Sequence, residues 1–321
     1  MWWRLHRVKE GMQRLFAQRM FWPALIQHSP TPLDIPTYDG SNQATHPDVV
    51  CFANPWHGFR YWMVMTPYPF LDETLENPSV LVSNDGISWQ VPVGGMNPLV
   101  ATPEKGFHAD PDMIYHPQTD GLWIYYLHTL RGEVQYLKRI CSQDGLVWTP
   151  PETILTLPYQ KIRSPALVVV PGGGLCMWSV NVTDGAVLEM RDSSNGVEWS
   201  SPQEVQFCQP GYMPSHLDVV WDSVESKYGM VAQCIRPQGG PNLLFWAESG
   251  DGVAWRTGRC PLLGVGKAPD WAKQTLYRST FVWEKKHVRL WYSGRSIDHH
   301  NRIAETVFDR SRLDRSFGRH L

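Results

Sequence analysis

The chain has 321 residues, 29 of them basic and 31 acidic, for a formal charge of −2. So even a balance leaves no electrostatic footprint for nucleic acid or an anionic membrane surface, and neither is expected as a partner. Sixteen Trp and twelve Tyr against only 19% charged residues point to a sheet-rich protein with aromatic surfaces of the kind that stack on sugar rings.

In residues 2–22, Trp2, Leu5, Val8, Met12, Leu15 and Met20 fall near helical spacing, which predicts a short amphipathic helix. It reads either as a helix packed on the domain or as an attachment segment for a larger assembly. The same stretch mixes Arg and Lys with apolar residues and has no uninterrupted hydrophobic core, so it is read neither as a signal peptide nor as a membrane span, and synthesis in the cytoplasm is expected. Cys51, Cys141, Cys176, Cys208, Cys234 and Cys260 have no close metal-type spacing and read mostly as buried free thiols.

From residue 41 onward the chain divides into five units with the same order of parts. Their first strands read HPDVVCF from His46, HADPDMIY from His108, RSPALVVV from Arg163, HLDVVWD from His216 and RSTFVW from Arg278, with starts 62, 55, 53 and 62 residues apart. Second strands follow after short turns, from Tyr61, Leu122, Leu175, Lys227 and Val288. Third strands in four units end in a Ser, Asp/Asn-Gly and Trp signature, as in Ser83-Asn84-Asp85-Gly86-Ile87-Ser88-Trp89 and Ser249-Gly250-Asp251-Gly252-Val253-Ala254-Trp255. The Gly supplies a positive-φ turn and the Trp packs between sheets, so the signature reads as a folding device. Five four-stranded units make an all-β, five-bladed β-propeller with a short N-terminal helical extension. The expected division is an extension over 1–40, the propeller over 41–308 and a polar tail over 309–321. The fifth unit lacks an outer strand, and the stretch from Phe21 to Ile35 is the candidate to close it.

In a propeller the first strand of every blade lines the central channel, so the starts of all five converge on one mouth. That places His46, Asp48, His108, Asp110, Arg163, His216, Asp218 and Arg278 around it, and the third-strand starts add Glu76, Glu133, Asp184 and Asn242. A ring of carboxylates, imidazoles and guanidinium groups is costly unless its members pair, bind a ligand or stay wet. Converging His-x-Asp motifs favour a ligand or catalytic site. Because residues i and i+2 of a strand share a side, these motifs also suit Zn, Mn or Ca, with His46, His108 and His216 as candidate ligands. No cofactor is required by the sequence, and an ion in the channel reads as structural rather than catalytic. Arg163 and Arg278 either favour an anionic group on the ligand or neutralise the carboxylates. Trp56, Tyr68, Trp271 and Tyr277 are candidate sugar-stacking residues.

The pattern resembles the five-bladed propeller glycosidases of glycoside hydrolase families 43, 32, 68 and 117. The resemblance rests on His46-Pro47-Asp48 in the first blade and Asp110-Pro111-Asp112-Met113-Ile114-Tyr115 in the second. It implies Asp48 as base or nucleophile and Asp110 as the carboxylate that orients substrate and modulates the acid. The third blade departs from the family, reading Lys161-Ile162-Arg163-Ser164-Pro165-Ala166 where the resemblance implies a general-acid Glu. Neither Arg163 nor Ser164 protonates a leaving oxygen at neutral pH. The acid then falls to Glu76, raised by burial, or to His216 or Asp218, or hydrolysis is lost and the mouth only binds a glycan. His46, His108, Arg163, His216 and Arg278 are the expected substrate-gripping groups. A competing expectation is a non-catalytic glycan- or receptor-binding component of a larger assembly such as a phage tail, virion-associated and attached through the N-terminal segment. A third is a phosphorylase- or transferase-like activity using the Arg pair.

Overall fold

In each of the five units an inner strand runs out from the mouth and successive antiparallel strands return outward, as the alternation of apolar runs and breakers requires. The computed structural model describes residues 24–183 and 185–318. Blade one holds β1 (Ala44–Trp56), β2 (Phe59–Pro67) and β3 (Ser79–Ser83). Blade two holds β4 (Phe107–His116), β5 (Gly121–Leu130), β6 (Val134–Ser142) and β7 (Glu152–Pro158). Blade three holds β8 (Ile162–Val169), β9 (Leu175–Asn181), β10 (Val187–Ser193) and β11 (Gln203–Glu204). Blade four holds β12 (Met213–Asp222), β13 (Lys227–Ile235), β14 (Leu243–Ser249) and β15 (Arg256–Thr257), and blade five β16 (Thr275–Glu284), β17 (His287–Arg295) and β18 (Asn301–Asp309). Each blade is a separate sheet in sequence order, and β1, β4, β8, β12 and β16 contact one another around the shaft, β16 closing on β1. This is the five-bladed propeller expected.

The Ser–Asp/Asn–Gly turns join neighbouring blades. In the first, Asp85 Oδ1 accepts the N–H groups of Ile87 and Ser88 (2.8 and 2.7 Å), and Trp89 Nε1 donates to Gly86 O. The same carbonyl accepts Trp291 Nε1 of the preceding blade (2.9 Å), Gly196 O accepts Tyr125 Oη (2.8 Å), and Gly252 O accepts Trp178 Nε1 (2.8 Å). A large second-strand aromatic therefore slides under the next blade's turn, and only a residue without Cβ leaves it room. At Gly145, φ is +73° and a Cβ would sit 2.1 Å from Trp62 Cζ3.

Blade five is completed differently from the expectation of a closing strand. The described part of that stretch, from Ala24, lies along β18 and buries Ile26 and Ile35 in two inter-blade cores. Leu33 N donates to Ile303 O (2.8 Å), while Leu25 and Ile26 bond to Pro261 and Leu262. Phe21 to Pro23 and the helix expected over residues 2–22 lie outside the described residues, as does Asp184. The polar tail contains a short helix, α1 (Ser311–Ser316), that buries Leu313 and Ser316. Arg310 pairs with Asp222 and lies over the Trp283 ring at 4.2 Å. All six cysteines are free; Cys176, Cys234 and Cys260 are buried, while Cys208 is exposed.

Gly145→Ala combines a left-handed backbone, costing an L-residue about 1–2 kcal/mol, with overpacking against Trp62. It should lower unfolding free energy by at least about 2 kcal/mol in chemical denaturation. Ile35→Ala should cost about 2–5 kcal/mol by the cavity it leaves.

Candidate metal centre and active site

The five inner strands begin alike: each has a register slip against its partner strand, at Thr45/Asp48, Ala109/Asp112, Arg163/Ala166, Pro214/His216 and Leu276/Ser279. In the first three blades the residue at the slip is non-glycine with positive φ: His46 (51°), Asp110 (48°) and Ser164 (51°). Such backbone is strained and persists only where its surroundings hold it. The slip fixes which side chains face the shaft, and it arranges them in two rings.

The upper ring is His46, Asp110, Ser164, His216 and Arg278. The lower, two residues further along each strand, is Asp48, Asp112, Ala166, Asp218 and Thr280. Ring members stitch each blade to the next. Asp48 Oδ2 accepts Met113 N (2.5 Å), Asp112 Oδ2 accepts Leu167 N (2.9 Å), and Asp218 Oδ2 faces Phe281 N at 3.4 Å. Asp110 Oδ2 accepts Ser164 N (3.1 Å), Ser164 Oγ donates to Leu217 O (2.9 Å) and accepts Leu217 N (3.1 Å), and Thr280 Oγ1 donates to Asp48 Oδ1 (3.1 Å).

In the upper ring His46 Nε2 and His216 Nδ1 stand 3.3 and 3.2 Å from Asp110 Oδ1. All three residues are buried, and none of these three atoms makes a hydrogen bond of acceptable geometry. Donors about 2.1 Å from one ion would be separated by about 3.0–3.4 Å, so the three fit a divalent transition metal with coordination positions left open. Burial depresses the pKa of both imidazoles, that of His46 to about 3, although Asp110 opposes the shift. Burial pushes the Asp110 carboxyl up, but the two imidazoles and Arg278 outweigh it and hold it below the usual carboxylate range. Two neutral imidazoles and a carboxylate are the protonation states a metal needs. His46 Nδ1 lies 3.0 Å from Thr66 Oγ1; donating there leaves the Nε2 lone pair for the ion.

The lower ring surrounds the Arg278 guanidinium, which is 0% exposed. Its Nη2 donates to Asp112 Oδ1 (2.8 Å) and Pro165 O (3.0 Å), and its Nη1 lies 3.9 Å from Asp110 Oδ1. Asp48, Asp112 and Asp218 crowd within 4.8 Å of one another. Burial raises all three carboxyls, that of Asp218 to about 7, with Asp48 adding repulsion to both of the others. A guanidinium already fills this cluster.

Several expected positions change. His108, grouped with His46 and His216 as a ligand candidate, is not in the ring: the slip in β4 gives that place to Asp110. His108 Nδ1 instead bonds Asn77 Oδ1 (2.9 Å). Arg278 is sealed in the shaft, so it grips no substrate. Arg163 is half-buried and precedes the ring residue Ser164, though its charge acts on His216. Trp56 packs at the far end of β1 against Phe52 and Trp62. Glu133 is exposed in a turn and Asn242 is half-buried.

Glu76 sits on the β2–β3 connection with its side chain buried. Burial first, then repulsion from Asp110, pushes its pKa well above the usual value. Asn77 anchors that loop, Nδ2 donating to Tyr38 Oη (2.8 Å) and Thr102 Oγ1 (3.0 Å) while Oδ1 meets His108. Tyr277, missed as a member of the centre itself, packs its ring on His46 (5.1 Å) and His216 (4.4 Å). Burial raises its pKa, so its hydroxyl keeps its proton.

No family model matches the chain. It is 28% identical, over 87% of its length, to an A type blood N-acetyl-α-D-galactosamine deacetylase of Flavonifractor plautii, and it spans 44% of that relative's length. The crystal structure of an N-acetylgalactosamine deacetylase from F. plautii in complex with blood group B trisaccharide superposes with a TM-score of 0.85 at 25% identity, covering 92% of this chain and 98% of that one. A thermostable family-43 glycoside hydrolase gives a TM-score of 0.58 at 11% identity, over 84% of this chain and 91% of its own, a likeness of fold alone. The chain thus has the propeller fold that the resemblance to these glycosidases implied.

Purified protein stripped of metal should take up one Zn2+ or Mn2+ per chain in calorimetry, and Asp110→Asn or His216→Ala should weaken uptake more than tenfold without unfolding. In the metal-free protein the lower-ring and imidazole groups act oppositely. Depressed imidazoles lose stability as pH falls below 6.5, whereas raised Asp218 loses it as pH rises from about 4 to 7. Asp218→Asn should therefore make the stability of the metal-free protein fall more steeply toward low pH than the parent's, by about 1 kcal/mol per pH unit across that window.

Proposed function

We propose that the chain deacetylates an N-acetylated amino sugar at the channel mouth, with a divalent metal held by His46, Asp110 and His216. The observation that carries this is the convergence of three buried, otherwise unbonded donor atoms in a protein similar to a sugar deacetylase. When bound, such an ion polarises an amide carbonyl and lowers the pKa of water.

The chain's own groups supply the rest. Glu76, raised by burial, takes a proton from the attacking water and returns it to the departing nitrogen. The amide C–N bond breaks, a C–O bond forms, and acetate and the free amine leave. Tyr277, protonated and packed on both imidazoles, donates to the oxygen that gains charge. Asp110 is fixed by Ser164 N, and His108 steadies the Glu76 loop through Asn77. Asp48 and Asp218, whose oxygens face backbone amides of the next blades, hold the ring beneath. The glycans of these relatives give no support to a phage-tail or receptor-binding component.

Zn2+- or Mn2+-loaded protein should release acetate from an oligosaccharide ending in N-acetylgalactosamine, and a chelator should stop it reversibly. Glu76→Gln should lower kcat by about 10²–10⁴ with little change in KM. Release of free sugar without acetate, or full chelator resistance, would overturn the reading.

A further inference from the structure

We propose that a second sugar-binding platform adjoins the mouth on the side of blades five and one, with Phe70 as its stacking face and the groove behind His300 receiving the next residues of a glycan. It rests on the reading that the reacting sugar lies over His46, Asp110 and His216.

Phe70 is 64% exposed, the one Phe, Tyr or Trp among the described residues left open to solvent. Exposure here is imposed rather than incidental. Phe70 and Leu71 are consecutive non-glycine residues in the left-handed region, with φ of 50° and 68°. Both are strained for residues with a Cβ and persist only where the surroundings hold them. The chain holds them there: Phe70 N donates to Gln43 Oε1 (3.2 Å), and the same oxygen accepts Asn301 N (3.3 Å) from blade five. Asn301 Nδ2 donates to Tyr68 O (2.7 Å), and the Phe70 ring meets the His300 ring edge-on at 4.9 Å. A strained, cross-braced loop that presents an aromatic face to water suits the apolar face of a pyranose.

The platform is continuous with the centre. Tyr277, packed on both imidazoles, lies under the Arg295 guanidinium at 5.6 Å. Arg295 also lies over Tyr68 at 5.8 Å, two residues before Phe70. On the other side of His300 a groove of about 460 Å³ opens, with Trp271 in its wall and Asp270, Asp298, Lys273 and Arg302 around it. Trp271 Nε1 is buried without a hydrogen-bond partner. Carboxylates and cations interspersed beside an indole match a neutral polyol, since a charged ligand would meet repulsion from half of the wall. The ligand class is therefore a neutral oligosaccharide extending from the reacting sugar.

The test compares the metal-loaded full chain with Phe70→Ala and Phe70→Trp on two probes, N-acetylgalactosamine alone and the blood group A-type trisaccharide that carries it. Phe70→Ala should lower the ratio of kcat/KM for trisaccharide over monosaccharide tenfold or more, through KM, and Phe70→Trp should keep the ratio within about threefold of the parent. An unchanged ratio in Phe70→Ala overturns the platform. If the parent releases acetate from neither probe, the deacetylation reading fails, and calorimetry with blood group B trisaccharide and with galactose judges the platform alone. Tighter trisaccharide binding that Phe70→Ala abolishes supports it, and equal affinities of parent and variant overturn it.

Discussion

The structure depends on one repeated interaction, a buried side-chain oxygen of one inner strand meeting a backbone N–H of the next. A propeller has no covalent closure, and its inner strands run side by side without laddering across blades, so their amides at the shaft need partners from elsewhere. Asp48, Asp110, Asp112 and Ser164 supply them, and Asp218 faces one. Each such hydrogen bond contributes about 0.5–1.5 kcal/mol, or about 1.5–3 kcal/mol where the acceptor is charged, and an orphaned amide costs about 1–3 kcal/mol, so the polar shaft is a stabilising element whatever else it does. The candidate metal site is superimposed on it: the upper ring keeps His46, Asp110 and His216 where the stitching alone would accept any short polar residue, as Ser164 shows.

The two rings also divide the electrostatics. Arg278, an upper-ring residue, sends its guanidinium down among the lower-ring carboxyls while staying within reach of Asp110. It compensates the lower carboxylates, whose pKa values burial raises, and it favours the ionised form of Asp110. The cation that the carboxylate cluster needs is thus part of the chain, while the imidazole pair above has no built-in cation. That difference separates a structural cluster of three carboxyls from a candidate metal centre with one carboxylate and two imidazoles.

Much of the fold was legible in the sequence: the five units, the strand order, the Asp/Asn-Gly turns and the convergence of inner-strand starts. The site was legible only to within two residues. Aligning on the His-x-Asp tripeptide put His108 opposite His46, when the signal lay in the residues after it: HPDVV, DPDMI, SPALV, HLDVV and RSTFV align without a gap and give both rings directly. The reason is physical. A backbone slip at the head of each strand decides which side chain faces the shaft, and the slip leaves no residue type of its own behind when His, Asp and Ser adopt positive φ in place of Gly. Trp56 was misplaced for a simpler reason, the length of β1, which carries it to the opposite end of the channel. Glu76 was within reach because loop position followed from strand direction alone.

The three donors of the upper ring come from blades one, two and four, separated by up to 170 residues of chain. No partly folded segment holds more than a fragment of the set, so high-affinity uptake of an ion there requires the whole circle to have formed. Binding at the proposed site would be linked to folding and would act as a rivet driven last. With an ion in the proposed site, its occupancy would report on ring closure, and a chain that lost its seam between blades five and one would announce it first as a loss of metal rather than a loss of strands.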